Sequence, residues 1–154
     1  MSVRRASTNP PRIPGLTFVR PLGSGGFSDV YLYEQELPRR EVAVKVLAAE
    51  TVDDQARAAF VGEANLMAQL SAHPYIVTIY GAAVAEDGRP YFVMEYCAGP
   101  SLAEQYKDHR FTVADALRTG VRLSSAVATA HAAALKLDDR PLLLRTLRGL
   151  QTFH

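Results

Sequence analysis

The residues that suggest chemistry begin with a glycine-rich segment, LGSGGFSDV, at residues 22–30. Gly23, Gly25 and Gly26 lie here between two stretches of strand-like sequence. A glycine-rich turn lets the backbone approach a phosphate closely, and its N–H groups can bind phosphate oxygens. Taken alone, the pattern is equally typical of an ordinary hairpin, because hairpin turns also favour glycine.

Two charged residues further along the chain favour phosphate binding. Lys45 ends the alternating segment VAVK, so its side chain is expected to project beside the cavity that the glycine-rich turn covers. Glu63 follows in a segment of helical spacing, where its carboxylate can fix the ammonium group and leave it aimed at phosphate. Each residue taken singly is more typical of a solvated surface. Together with the turn, they predict a phosphate-binding site.

The elements that position these residues follow from hydrophobic periodicity. Three consecutive antiparallel strands are predicted in LTFVRPLG, DVYLYEQ and EVAVKVL, which are rich in β-branched and aromatic residues. Helical spacing predicts a helix from about Asp53 to Leu70. Two further strands are predicted in YIVTIYGAAV and RPYFVMEYC, joined by a hairpin that contains Asp87 and Gly88.

The pattern becomes helical beyond Gly99. Two capping boxes are indicated, one by Ser101 with Glu104 and one by Thr112 with Asp115. The second begins a long helix, whose apolar face is expected to need a covering partner. The residues predicted for this face are Val113, Ala116, Leu117, Val121, Ser124, Ala128 and His131.

Composition narrows the class of protein. With 154 residues and 48% hydrophobic content, one packed domain is expected. The 17 basic and 16 acidic residues produce no broad field, so neither nucleic acid nor anionic lipid is an expected partner. No apolar stretch has the length of a signal peptide or a membrane span. Cys97 is the single cysteine, which favours a reducing compartment and a cytoplasmic location.

Together these segments resemble the N-terminal lobe of eukaryotic-type serine/threonine protein kinases of the bacterial style, from about residue 16 to residue 131. The resemblance implies an α+β fold with a five-stranded antiparallel sheet and helix C, followed by a partial helical C-lobe. It also implies ATP as the ligand. The expected divisions are a flexible leader (1–15), the N-lobe with its glycine-rich loop and hinge (16–98), a partial C-lobe with helices D and E (99–134) and a divergent tail (135–154).

The resemblance assigns the phosphate-binding roles. It implies that Lys45 contacts the α- and β-phosphates and that Glu63 is its partner on helix C. The glycine-rich loop would cover the phosphates, with Ser28 standing where the family has its third glycine. The loop residues so assigned are Leu22, Gly23, Ser24, Gly25, Gly26, Phe27, Ser28 and Val30.

The resemblance also assigns the adenine-binding roles. Val30 and Ala43 would sandwich the base, and Met94 would be the gatekeeper. The carbonyl of Glu95 and the amide of Cys97 would pair with the edge of the adenine. His73 lacks a neighbouring nucleophile and is interpreted as a structural loop residue.

The resemblance ends after the long helix. AALKLDDRP stands where the family has its HRD catalytic loop, and neither HRD nor DFG occurs in the chain. No catalytic residue is therefore assigned, and the magnesium ligands of a complete family member are absent. Because a positioned acid or base is worth roughly 10²- to 10⁴-fold in rate, this chain is expected to be inactive on its own.

Three functions are compatible with this sequence. The first is the ATP-binding portion of a serine/threonine protein phosphotransferase, acting on a protein substrate that the sequence does not identify. The second is a non-catalytic, pseudokinase-like module that binds a nucleotide or a regulatory protein. The third is a non-functional truncated or frameshifted kinase fragment, in which residues 135–154 derive from an altered reading frame.

Overall fold

The computed structural model describes residues 9–49, 53–108 and 110–137, with side chains up to Ala133. These residues divide into two compact units, the first within 1–65 and 79–96 and the second within 66–78 and 97–154. The elements in chain order are β1 (Leu16–Ser24), β2 (Ser28–Gln35), β3 (Arg40–Leu47), α1 (Asp54–Leu70), β4 (Ile79–Val84), β5 (Pro90–Glu95), α2 (Leu102–Asp108) and α3 (Val113–Leu137).

The first unit is built on one five-stranded sheet in the order β1-β2-β3-β5-β4. All neighbouring strands are antiparallel, so β3 and β5 pair directly although α1 and β4 lie between them in sequence. In this register Lys45 lies opposite Val30 on one side and Phe92 on the other. The predicted α+β fold, with five antiparallel strands and a helix after the third, is confirmed.

The sheet has two faces of different character, because successive side chains in a strand point to opposite sides. The pairing of Val30 with Lys45 and of Ala43 with Met94 places these four residues on one face, which we call the inner face. The opposite, outer face carries a separate apolar cluster. Its buried members are Ile13, Tyr31, Tyr33, Val42, Val44 and Val46.

The chain that precedes β1 covers part of the outer face. Ile13 is buried in the outer cluster, and the hydroxyl of Tyr33 donates a hydrogen bond of 2.6 Å to the carbonyl oxygen of Pro11. Arg89 donates from Nη2 to the carbonyl oxygen of Asn9 at 3.0 Å. These contacts involve residues 9–13, which lie within the leader that the sequence predicted to be flexible. Composition alone does not show where an isolated isoleucine packs or which side chains bind its neighbouring carbonyl groups.

Helix α1 begins where Asp53 caps it. The Asp53 carboxylate accepts a hydrogen bond from the Ala56 amide at 2.6 Å, and the Asp53 carbonyl accepts one from the Arg57 amide at 2.9 Å. An acidic N-cap satisfies amide groups that have no partner within the helix. The predicted helix over residues 53–70 is therefore present, and it carries Glu63 in the part that belongs to the first unit.

Both predicted capping boxes are present in the second unit. Ser101 Oγ accepts from the Glu104 amide at 3.1 Å while the Ser101 amide donates to the Glu104 carboxylate at 2.8 Å. Thr112 and Asp115 repeat this exchange at 3.1 and 3.3 Å. The hydrogen bonds from these N-cap residues lower the pKa of both carboxyl groups, since they favour the ionised form.

The apolar face predicted for α3 is exposed, and the described residues do not supply the covering partner that it was expected to need. Val113, Leu117 and Val121 are 78%, 66% and 70% exposed among the described residues. The face that packs lies nearer the end of the helix, where successive contacts are three or four residues apart. The buried cluster of the second unit consists of Leu66, Leu70, Ile76 and Ala130, with Ala126 and Ala133 packed against it.

His73 has a structural role, as the sequence indicated. Its Nδ1 accepts a hydrogen bond from the Tyr75 amide at 3.1 Å, so this nitrogen carries no proton. In the neutral ring Nε2 then carries the hydrogen and donates it to the hydroxyl of Ser125, 3.0 Å away. The imidazole thereby joins the loop after α1 to helix α3 within the second unit.

Candidate functional site

The candidate site is centred on a lysine inside the sheet. Lys45 lies in β3 between Val44 and Val46, which are both fully buried, and is itself almost buried. Strand alternation turns its side chain away from these valines toward the inner face. A lysine in this environment needs a compensating charge, because a buried ammonium group without a partner is strongly destabilising.

Glu63 supplies that charge from α1. Its Oε1 lies 2.5 Å from Lys45 Nζ, although 18 positions separate the two residues. The lysine side chain is 8% exposed and that of the glutamate 16% exposed. Water is largely excluded from the pair, so the carboxylate restricts the ammonium group more than it would at an open surface.

Two aromatic rings support the ion pair. Lys45 Nζ lies 5.6 Å from the centre of the Phe92 ring, within the range of a cation–π interaction. The ring of Phe92 in turn packs against that of Phe60 on α1, with centroids 5.1 Å apart. Sequence reasoning missed both phenylalanines. The alternation of β5 indicates Phe92, because it places this residue on the same side of the sheet as Met94.

The glycine-rich segment forms the connection between β1 and β2. Leu22, Gly23 and Ser24 end β1, residues 25–27 form the turn, and Ser28 begins β2. The turn is closed by a hydrogen bond of 2.7 Å from the Gly25 amide to the Ser28 carbonyl. The last residue of the turn also contacts the chain directly after β3, since the Ala48 amide donates to the Phe27 carbonyl at 2.9 Å.

The glycines of this turn leave room around the backbone. A Cβ atom added at Gly26 would meet nothing within 4 Å, and one added at Gly25 would make only an ordinary contact of 3.5 Å with the Ser28 carbonyl. Neither residue has the positive φ angle that favours glycine, unlike Gly15 and Gly88. The packing of the described residues therefore does not account for Gly25 and Gly26, and the space that these residues leave beside the turn is available to a ligand.

An apolar strip lies beside the ion pair on the inner face. Val30, Ala43 and Met94 are all buried, and each is on the same face as Lys45 by its pairing in the sheet. Leu22 is half-buried near the end of β1. Apolar side chains next to a fixed ammonium group match a ligand that has a flat apolar part and an anionic part.

The segment assigned to the hinge follows β5. Glu95 is the last residue of that strand, is exposed, and pairs with Val42 of β3. Cys97 belongs to the second unit and is also exposed. The roles assigned to these two residues depend on main-chain groups, and they stay predictions.

The described residues do not fit a metal ion. Within 9–49, 53–108 and 110–133, no three His, Cys, Asp or Glu side chains form a group that could bind one. The same ranges hold no helix that is long and apolar enough to cross a membrane.

The sheet order, the helix after the third strand and the lysine–glutamate pair together define the N-terminal part of a protein kinase domain. The protein kinase domain family matches residues 16–138, and the chain belongs to this family. The predicted family is confirmed.

Several relatives are serine/threonine protein kinases of bacteria. PknK of Mycobacterium tuberculosis is 38% identical over 118 residues, which cover 76% of this chain and 10% of PknK. PrkC of Bacillus subtilis is 36% identical over 115 residues, covering 73% of this chain and 17% of PrkC. PknF of M. tuberculosis is 37% identical over 95 residues, covering 61% of this chain and 20% of PknF. The chain thus spans a tenth to a fifth of the length of these relatives.

Proposed function

We propose that the first unit binds ATP and is the ATP-binding portion of a serine/threonine protein phosphotransferase. The observation that supports this most directly is the nearly buried pair of Lys45 and Glu63, which lies on the same sheet face as an apolar strip. Membership of the protein kinase family supports it independently. The cytoplasmic location suggested by the single cysteine is part of the same proposal.

The proposed mechanism of binding is electrostatic. ATP supplies the phosphoryl group, and Lys45 neutralises part of its phosphate charge while Glu63 keeps the ammonium group in place. The amides of the glycine-rich turn offer further donors, and the open space at Gly26 admits phosphate oxygens close to the backbone. Because phosphoryl transfer depends mainly on positioning and charge stabilisation, these groups contribute to binding and to orientation of the leaving phosphates.

The base is proposed to lie against the apolar strip. Val30 and Ala43 would contact one face of the adenine, and Met94 would limit the depth of its pocket. The Glu95 carbonyl and the Cys97 amide would bind its polar edge. Main-chain recognition would constrain these two side chains only weakly, which is compatible with their exposure.

Transfer of phosphate by this chain alone is not expected, and the second unit is not assigned a catalytic role. The sequence holds neither an HRD nor a DFG motif, and Asp138 and Asp139 lie outside the described residues. The proposal is therefore an ATP-binding part with little turnover of its own. Phosphate transfer to a generic protein substrate that is lost in Lys45→Met would contradict this part of the proposal.

Calorimetric titration of the full chain with ATP tests the binding site. We expect Lys45→Met to weaken binding about 10- to 100-fold, the usual cost of losing a hydrogen bond to a charged group. Lys107→Met is the matched control, because Lys107 is exposed on α2 and should leave the affinity unchanged. No heat from the wild-type chain, or equal affinity in Lys45→Met, would overturn the proposal.

A second candidate function is a non-catalytic interaction module. It is favoured by the apolar row of Val113, Leu117 and Val121 on α3, which is largely exposed. This function shares with the first the expectation that the chain alone transfers no phosphate, but it does not require that the chain bind ATP. The third alternative, a frameshifted fragment, predicts an HRD-like motif in another reading frame of the nucleotide sequence beyond codon 134.

A further inference from the structure

A hydrogen bond joins two distant strands at the apolar end of the candidate site. Arg20 Nη2 donates to the hydroxyl of Tyr96 at 2.9 Å. Arg20 lies in β1, two positions before Leu22, and Tyr96 directly follows β5. Because β2 and β3 lie between β1 and β5 in the sheet, this side-chain bond bypasses two strands.

The pairing of the strands places Arg20 in line with Ala43 and Met94, which are assigned to the binding of adenine. Arg20 pairs with Leu32, Leu32 with Ala43, and Ala43 with Met94. Directly opposed residues in antiparallel strands project to the same face of a sheet. Arg20 therefore lies on the inner face, in the row next to the one that contains Lys45.

The backbone pairing of the strand that carries Arg20 is irregular near this site. β1 is an edge strand and forms its ladder with β2 alone. Its register shifts between Phe18 and Arg20 and again between Pro21 and Gly23, so irregularities lie on both sides of Arg20. Such irregularities interrupt the ladder and bend the strand locally. The backbone ladder alone thus leaves the distance from the end of β1 to β5 loosely determined.

We propose that Arg20 and Tyr96 form a clamp that positions the end of β1, which carries Leu22, over the adenine-binding strip. Both are positioning residues for the base of ATP, and neither needs to touch the ligand. The inference rests on the proposed ATP binding and deepens it. It adds a determinant of base recognition to the residues already assigned to the phosphates.

The proposed clamp acts by holding β1 in position and not through its charge. The two effects can therefore be tested separately. Tyr96→Phe removes the accepting oxygen and changes no charge, whereas Arg20→Met removes a cation as well as the bond. A simple charge effect would weaken the binding of any polyphosphate. Loss of the clamp should weaken only ligands that carry the base, because inorganic tripolyphosphate has nothing to place against the strip.

The test is calorimetric titration of the full chain with ATP and, separately, with tripolyphosphate. We expect Tyr96→Phe and Arg20→Met each to weaken ATP binding about 3- to 10-fold, as for one ordinary hydrogen bond. The double variant should lose little more than either single variant, because both remove the same interaction. Tyr96→Phe should leave tripolyphosphate binding unchanged. Tyr106→Phe, a change at an exposed tyrosine of α2, is the matched control.

The outcomes separate the clamp from the proposed function. ATP binding that depends on Lys45 but stays within twofold in Tyr96→Phe overturns the clamp and leaves the ATP site standing. Additive losses in the double variant, or an equal loss of tripolyphosphate binding in Tyr96→Phe, also overturn it. No ATP binding by the wild-type chain overturns both. Because the bond is exposed, each variant should melt at nearly the temperature of the wild type. Thermal melts thus check that the changes in affinity do not come from unfolding.

Discussion

The hydroxyl of Tyr33 in β2 donates a hydrogen bond of 2.6 Å to the carbonyl oxygen of Pro11. Tyr33 is fully buried on the outer face, where Ile13 packs into the same cluster. This bond fastens the chain before β1 to the sheet on the side opposite the candidate site. The segment 9–13 is thus part of the packing of the first unit.

Replacing Tyr33 tests this attachment. Tyr33→Phe should lower the free energy of unfolding by about 1 kcal/mol at pH 7, because a buried carbonyl loses its donor while the ring still fills its place. Urea unfolding measures the change. Tyr106→Phe, at an exposed position, should have no effect. Equal stability of Tyr33→Phe and the wild type would show that the hydroxyl contributes nothing to the attachment.

The same tyrosine predicts a loss of stability at alkaline pH. Burial, together with the nearby Tyr31, raises the pKa of the Tyr33 phenol above its usual value of 10.0. Since the unfolded chain then releases this proton first, stability should be complete below about pH 10 and decrease above it. Urea unfolding between pH 8 and pH 11 should show a smaller decrease in Tyr33→Phe. A decrease as large as that of the wild type would assign the effect to other groups, such as Tyr91.

The ion pair of the candidate site predicts a second effect on stability. Glu63→Gln removes the carboxylate that pairs with the nearly buried Lys45 ammonium, which should cost about 3 kcal/mol of unfolding free energy. Glu41→Gln removes an exposed carboxylate from β3 and serves as the control, with an expected change below about 0.5 kcal/mol. Equal stabilities of the two variants, measured in urea, would contradict the dependence of Lys45 on Glu63.

Loss of the capping box of α3 should lower stability by a smaller amount. Thr112→Ala should destabilise the chain by about 1 kcal/mol, because the Asp115 amide loses its acceptor at the start of the helix. Thr119→Ala, within the same helix, is the matched control and should be neutral or slightly stabilising owing to the helix propensity of alanine. Thermal unfolding followed by circular dichroism compares them. A larger loss in Thr119→Ala would refute the cap.

A buried leucine and an exposed leucine of the second unit should differ in their contributions to stability. Leu70 is buried in the cluster with Ala130, so Leu70→Ala should cost about 2 to 5 kcal/mol. Leu117 is mostly exposed on α3, and Leu117→Ala should change stability by less than about 0.5 kcal/mol. Urea unfolding of both variants checks the assignment of the packed face. A large cost at Leu117 would show that its face is covered in solution.

The local elements were predictable because their signals lie within a few residues. The capping boxes of Ser101 and Thr112 are exchanges over three positions, and Asp53 precedes its helix directly. The strands followed from alternation in the same way. The pairing of Lys45 with Glu63 was proposed from strand alternation and helical spacing, and the family resemblance implied it as well.

The packing partners were harder to predict because they depend on distant parts of the chain. Ala130 packs with Leu66, Leu70 and Ile76, and small residues of this kind add little to an apolar pattern read along α3. The predicted face instead followed the larger side chains Val113, Leu117 and Val121. The ring of Phe60 finds Phe92 only because β5 lies next to β3 in the sheet.

The sequence by itself determined the order of the strands and helices, the capped starts of the helices and the residue types of an anion-binding site, because hydrophobic periodicity and capping act locally. Only the tertiary structure decided which of these residues meet. It placed Lys45 against Glu63, joined Arg20 to Tyr96 across two strands and brought Pro11 to Tyr33. Each of these contacts depends on strand order and on the face to which a side chain turns.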